Sequence, residues 1–123
     1  MELLESPRDV GNCDAVNCVS RAVLSDLSSR WAMLIVRQLR RGDKRFAELR
    51  HGIDGISEKM LAQTLRTLER NGLVRRTSYD VVPPHVSYSL TPLGHECAAH
   101  VSELLQWFET RAREFTLARR ASA

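Results

Sequence analysis

A mainly α-helical chain carrying one β-hairpin is what the 123-residue sequence predicts, on three observations. Apolar residues recur at helical spacing through residues 16–70. The period then changes from 3.6 to 2 just past Gly72, and a helical period returns behind Thr91-Pro92, itself a helix-start signal.

Each element follows from its own residues. Val16, Val19, Val23, Leu24 and Leu27 share one face, which predicts a first helix over 16–27. Ser28 or Ser29 caps a second helix that begins near Trp31 and runs through Leu34, Ile35 and Leu39 to Arg41, where Gly42 stops it. Phe46, Ala47, Leu49 and Arg50 form a short third segment ended by Gly52. Residues 52–56 are a turn with two apolar anchors, Ile53 and Ile56, and Ser57 caps a fourth helix with a buried stripe of Met60, Leu61, Leu65 and Leu68. Asn71-Gly72 closes that helix as a left-handed cap.

Beyond it, Val86, Tyr88 and Leu90 alternate with Ser87 and Ser89, opposite a β-prone run at 73–79. The tip between them, residues 80–85, holds two prolines, is too stiff for a two-residue turn, and must project as a longer loop. Thr91 then supplies an N-cap and Pro92 a first-turn proline for a long last helix. Its apolar residues Leu93, Cys97, Val101, Leu104, Phe108, Ala112 and Phe115 step by 4, 4, 3, 4, 4 and 3, close to a coiled-coil seam.

This length suits one compact domain. No apolar stretch approaches the roughly 20 residues that span a bilayer, and the start MELLESPRDVGN has no apolar run behind a basic segment, so a cytoplasmic chain with no membrane partner is expected. There Cys13, Cys18 and Cys97 stay reduced, and an odd number cannot all pair within the chain. Charge is unevenly placed. Residues 37–79 hold 11 of the 18 Lys and Arg but 5 of the 15 Asp and Glu, so the middle carries +6 and the flanks together −3. Such a block is either a solvated polar face or a surface for phosphates, whose neutralisation releases counterions.

Two short helices joined by a glycine-containing turn, then a hairpin with a stiff loop, make a winged helix-turn-helix. A helix of about 10–12 Å diameter fits a major groove about 12 Å wide, with the second helix of the motif at the base edges. Ser57, Glu58, Lys59, Gln63, Arg66, Thr67 and Arg70 are therefore the candidate DNA-binding residues on the reading helix. Gln63 suits adenine and Arg66 guanine, while Lys59, Arg70, Arg75 and Arg76 suit phosphates. Lys44 and Arg45 before the third segment, and His85 on the hairpin, complete the DNA-binding set. The expected organisation is an arm at 1–15, the winged unit at 16–91, a dimerisation helix at 92–118 and a tail at 119–123.

A series of segments carries a family resemblance: Cys18-Val19-Ser20-Arg21-Ala22, Arg30-Trp31-Ala32-Met33-Leu34-Ile35, Arg45-Phe46-Ala47-Glu48-Leu49, Gly55-Ile56-Ser57-Glu58-Lys59-Met60-Leu61, Leu65-Arg66-Thr67-Leu68-Glu69-Arg70-Asn71-Gly72-Leu73-Val74-Arg75-Arg76, Pro83-Pro84-His85-Val86-Ser87-Tyr88-Ser89-Leu90-Thr91 and Leu93-Gly94. From Cys18 to about Trp107 the chain resembles the HxlR family of bacterial winged helix-turn-helix transcriptional regulators. The departures are Ser28-Ser29, where the family usually has glycines, and Val19, where it often has proline. The resemblance implies a homodimer on a roughly palindromic double-stranded DNA operator, with reading helices about 34 Å apart or a multiple of that. Leu93, Cys97, Val101, Leu104, Trp107 and Phe108 are the residues expected at the dimer interface, together with the first helix.

Many members of that family resemble sensors of oxidants or electrophiles through the cysteine matching Cys18, with Cys13 an extra thiol here. A helix N-terminus and Arg21 one turn on would favour the Cys18 thiolate; a small buried residue packing under the dimer helix is the equal alternative. A small-molecule effector in a pocket near the first helix is a further expectation. His95, Cys97 and His100 crowd one stretch with Glu96 and Glu103, but only Glu96/His100 or His100/Glu103 share a helix face, so no metal site and no cofactor are predicted. No phosphate loop, HExxH or GxSxG motif occurs, and catalysis is not expected. The alternatives to a DNA-reading regulator are a winged-helix module that contacts protein and a metal-responsive regulator.

Overall fold

Fifteen apolar residues form the core, four of them on the helix that begins at Arg30, and most of the other helices pack onto that helix. The computed structural model describes residues 10–122; residues 1–9 of the expected arm and Ala123 of the expected tail lie outside them. In chain order the elements are α1 (Val19–Leu27), α2 (Arg30–Arg40), β1 (Lys44–Arg45), α3 (Phe46–Gly52), α4 (Glu58–Arg70), β2 (Val74–Tyr79), β3 (His85–Leu90), α5 (Pro92–Thr110) and α6 (Ala112–Ser122). α2 contributes Ala32, Ile35, Val36 and Leu39 to the core, α4 contributes Leu61, Leu65 and Leu68, and α5 contributes Ala98 and Val101. Each large aliphatic side chain buried there is worth about 1.5–3 kcal/mol.

The caps are the ones the sequence signals. Ser29 accepts the Ala32 N–H at 3.1 Å, Ser57 the Met60 N–H at 3.0 Å, and Thr91 the Gly94 N–H at 2.9 Å. α4 ends in a Schellman motif: the Leu73 N–H reaches the Leu68 carbonyl, the Gly72 N–H reaches that of Glu69, and Gly72 takes φ +75°. Thr91 does more than cap. Its hydroxyl donates to the Gly72 carbonyl at 2.6 Å and its N–H to the Leu73 carbonyl at 3.1 Å, tying the start of α5 to the end of α4. Gly94 sits so close that a Cβ there would collide with the Leu73 carbonyl oxygen.

β2 and β3 form the expected hairpin, antiparallel in the register Val74↔Leu90, Arg76↔Tyr88 and Tyr79↔His85, and a five-residue loop projects between them. Fold and hairpin together make the chain a winged helix-turn-helix.

Four expectations are corrected in detail. The first helix starts at Val19 instead of residue 16, because Cys18 takes extended N-cap geometry and the preceding residues form turns. A strand the sequence does not announce, β1, pairs with the free edge of β3, giving a three-stranded sheet in the order β1-β3-β2. On α4 the buried stripe is Leu61, Thr64, Leu65 and Leu68: Met60 is 36% exposed, and Thr64 takes the inward place because its hydroxyl donates to the Met60 carbonyl at 2.7 Å. The single last helix is two, broken at Arg111. In a straight helix, residues 107 and 115 would lie about 12 Å apart along the axis. The break lets the rings of Trp107 and Phe115 meet at 5.6 Å and those of Phe108 and Phe115 at 5.8 Å.

Candidate nucleic-acid interface

The turn that aims the reading helix depends on one backbone conformation. Between α3 and α4, Gly55 adopts φ +84°, a left-handed value that costs an L-residue about 1–2 kcal/mol. Ile53 and Ile56 anchor the turn in the core on either side of it. Arg50 of α3 reaches Glu58 at the first turn of α4 at 3.1 Å and helps fix the angle between the two helices.

With Leu61, Thr64, Leu65 and Leu68 turned inward, the 100° step of a helix places Lys59, Gln63, Arg66 and Arg70 at the centre of the opposite face, and all four are exposed. This is the surface that can enter a groove. The other α4 candidates sit differently. The Ser57 hydroxyl is occupied as the cap, and Glu58 is held by Arg50, so both frame the face more than they fill it. Half-buried Thr67 donates to the Gln63 carbonyl and lines a groove with Ser25, Asp26, Ser29, Met60 and Gln63, on the flank facing α1. Arg70 is braced by Asp26 at 3.4 Å, and the Asn71 amide donates to the same carboxylate at 3.0 Å.

Strand register sorts the remaining cations. Arg75 lies on the sheet face shared with Tyr79 and, across the ladder, His85, Ser87 and Ser89; Arg45 pairs with Ser87 and belongs there too. Tyr79 and His85 stack at 4.6 Å where the hairpin opens into its loop. Arg76 and Lys44 lie on the other face, both opposite Tyr88. Arg75 and Arg76 are thus adjacent in sequence but not joint contacts on one surface. At the loop itself Val82 is 99% exposed, an apolar tip that the charge-based search did not select.

The thiols occupy three environments. Cys18 is 7% exposed at the N-cap of α1, and the Asn12 N–H donates to its sulfur at 3.1 Å. That bond, then the Ser20 N–H, hold its pKa below the ordinary thiol value, against burial, which acts the other way. Arg21 assists through its backbone N–H, while its guanidinium turns to the Asp14 carbonyl at 3.2 Å. Cys13 is exposed in the preceding loop. Cys97 packs against the chain's own core, and burial pushes its pKa up.

Among the expected dimer residues, Leu93, Cys97, Leu104, Trp107 and Phe108 fall on one flank of α5 at helical spacing. Val101 shares this flank but is 5% exposed: it packs into the core of its own chain and forms the floor of the groove beside Leu104 and Phe108. Leu104, Trp107 and Phe108 are all exposed. Beside them Leu24, Leu27, Met33, Leu104 and Phe108 line an apolar groove of about 300 Å³ between α1 and α5. Among the described residues no group of three or more His, Cys, Asp or Glu could hold a metal ion, and no helix is long and apolar enough to cross a membrane.

A family profile described as HxlR-like helix-turn-helix matches residues 26–115, which contain the turn, the reading helix, the wing and α5. The chain belongs to the HxlR family. Among its HxlR relatives is the HTH-type transcriptional regulator YtfH of Escherichia coli (strain K12), 51% identical over 104 residues that cover 85% of this chain and 82% of that protein. The solved structure of a ytfH transcriptional regulator from Salmonella typhimurium superimposes with a TM-score of 0.83 at 48% identity, over 90% of this chain and 99% of that one. The redox regulator HypR in its oxidised form is similar at a TM-score of 0.70 and 34% identity, over 76% of this chain and 96% of that one. This HxlR-family chain is a DNA-binding transcriptional regulator of the helix-turn-helix type.

Proposed function

We propose that this HxlR-family regulator acts as a cytoplasmic homodimer that reads a roughly palindromic operator and has no catalytic activity of its own. The observation that carries the reading is the exposed face of α4, where Lys59, Gln63, Arg66 and Arg70 stand opposite the buried stripe of Leu61, Thr64, Leu65 and Leu68. Gln63 and Arg66 read bases, through the bidentate geometry that adenine and guanine accept. Lys59 and Arg70 hold phosphates, and Arg75 with Arg45 extends that contact along one face of the wing sheet.

Dimerisation is supported by the flank of α5. An exposed Trp107–Phe108–Phe115 cluster beside an apolar groove is more aromatic surface than a solitary domain leaves in water. A palindromic operator then requires the two reading helices to lie about one helical turn of DNA, or a multiple of it, apart.

The switch proposed for this dimer is oxidation at Cys18. Its sulfur receives backbone N–H groups that stabilise the thiolate, and the similarity to a protein described as a redox regulator supports the same chemistry. Under diamide, the Cys18 thiolate and a second thiol, from Cys13 or the other subunit, lose two electrons as the disulfide forms, and diamide takes up the electrons with two protons. The experiment is footprinting on DNA upstream of the gene, with and without diamide, for the native chain and Cys18→Ser. Protection of two half-sites, released by diamide only when Cys18 is present, is expected. Protection that diamide releases equally from Cys18→Ser removes the switch but leaves the operator reading intact.

A further inference from the structure

On the side of α5 away from the aromatic flank, a cleft of about 310 Å³ opens between α2 and α5, lined by Arg37, Arg40, Arg41, Ser102, Gln106 and Glu109. Three guanidiniums against one carboxylate give it a formal charge of +2. Glu109 engages only Arg37, taking its Nη1 at 2.9 Å. The other edge of that guanidinium stays unsatisfied: Arg37 Nε is buried and has no partner among the described residues, and the same is true of Ser102 Oγ. Arg40 and Arg41 make no ion pair among the described residues either.

A buried donor without an acceptor loses its bonds to water and gains none in return, and folded proteins seldom leave two in one cleft. An Arg edge offering Nε–H, beside a hydroxyl and two further guanidiniums, is the donor set that a planar or tetrahedral oxyanion satisfies. We propose that this cleft is a binding site for a small oxyanion ligand, a carboxylate or a phosphate monoester, held by Arg37 Nε and Ser102 Oγ with Arg40 and Arg41 neutralising its charge. Bound there, the ligand would bridge α2, the core helix that supports α4, and α5, which carries the proposed dimer flank. It would thus act on the spacing of the reading helices, and this regulatory consequence rests on the dimeric operator reading while the site itself does not.

The test uses the full chain without DNA. Calorimetric titration with benzoate, succinate and inorganic phosphate, at ionic strength held constant with chloride, is paired with nuclear magnetic resonance of the Arg37 Nε–H and the Ser102 amide. Saturable binding of one probe, one per protomer, with shifts at both groups, is the expected result, and which probe binds tells carboxylate from phosphate. Ser102→Ala and Arg37→Lys should each weaken that binding about tenfold, and Ser102→Ala, which removes an unpartnered buried hydroxyl, should leave the unliganded protein at least as resistant to melting and its operator affinity unchanged. Absence of saturable binding by all three probes, unchanged binding by both variants, or shifts confined to α4 and the wing would overturn the site. Failure of operator binding in a separate gel-shift measurement would instead count against the DNA reading.

Discussion

Arg66 and Lys59 share one helix face but should fail differently when removed. Arg66→Ala is expected to cost about 1–3 kcal/mol of operator affinity and to relax the base preference at one position of each half-site. Lys59→Ala should weaken operator and random DNA alike and lower the slope of log affinity against log salt by about one unit. Gel-shift titrations at several salt concentrations, on operator and scrambled duplex, separate the two. A second residue-scale expectation concerns pH. Cys18 has a lowered pKa in the fold because backbone N–H groups favour its thiolate. The stabilisation it brings is therefore complete above the ordinary thiol value and is lost as pH falls through the lower, folded value. Denaturation of the native chain and Cys18→Ser at a series of pH values should show the native chain gaining on the variant as pH rises across that window; a constant difference would contradict the assignment. The sequence pointed to Cys18 by the family resemblance and by its place near a helix N-terminus, but not to the Asn12 N–H, since no local pattern shows a loop folding back on a sulfur six residues on.

At the scale of elements, what the sequence reveals depends on how many residues state the same thing. α2 and α4 each have several apolar positions in one period plus a cap, the hairpin has an alternating run, and all three lie where those signals put them. β1 is two residues long, too short to display any period, and is a strand only because β3 leaves an edge to pair with. The break at Arg111 is hidden for the opposite reason: Ala112 and Phe115 continue the seam, so periodicity reads straight through the bend at which the rings meet. Thr64 was missed because a hydroxyl counts as polar until its acceptor, the Met60 carbonyl, is known. Gly94 gives the element-scale prediction. Alanine there gains up to about 1 kcal/mol in helix propensity but drives a methyl into the Leu73 carbonyl, so a net loss of about 1–2 kcal/mol is expected from urea unfolding. A neutral or stabilising result would show that α5 can shift away from β2.

For the whole molecule, the distribution of charge and aromatic surface divides the labour. The basic block of residues 37–79 includes both the reading helix and the cleft arginines, while the rings of Trp107, Phe108 and Phe115 lie outside it in the last two helices. Trp107→Glu should convert the proposed dimer to a monomer in sedimentation equilibrium. It should also cost at least a hundredfold in affinity for a two-half-site operator and much less for a single half-site, because only the linked pair gains from effective concentration. Equal losses on both duplexes would mean that Trp107 acts inside the chain instead.

Thr91 joins these two regions through a span of only a few atoms. Its hydroxyl and amide fasten the first turn of α5 to the carbonyls that follow α4, with no flexible linker in between. In the proposed dimer, reading helix and α5 would then turn together as one bent lever with its fulcrum at that threonine. A twist applied where the copies meet would reach the groove through it, and half-sites set a base pair too close or too far apart would be rejected by geometry before any base is inspected.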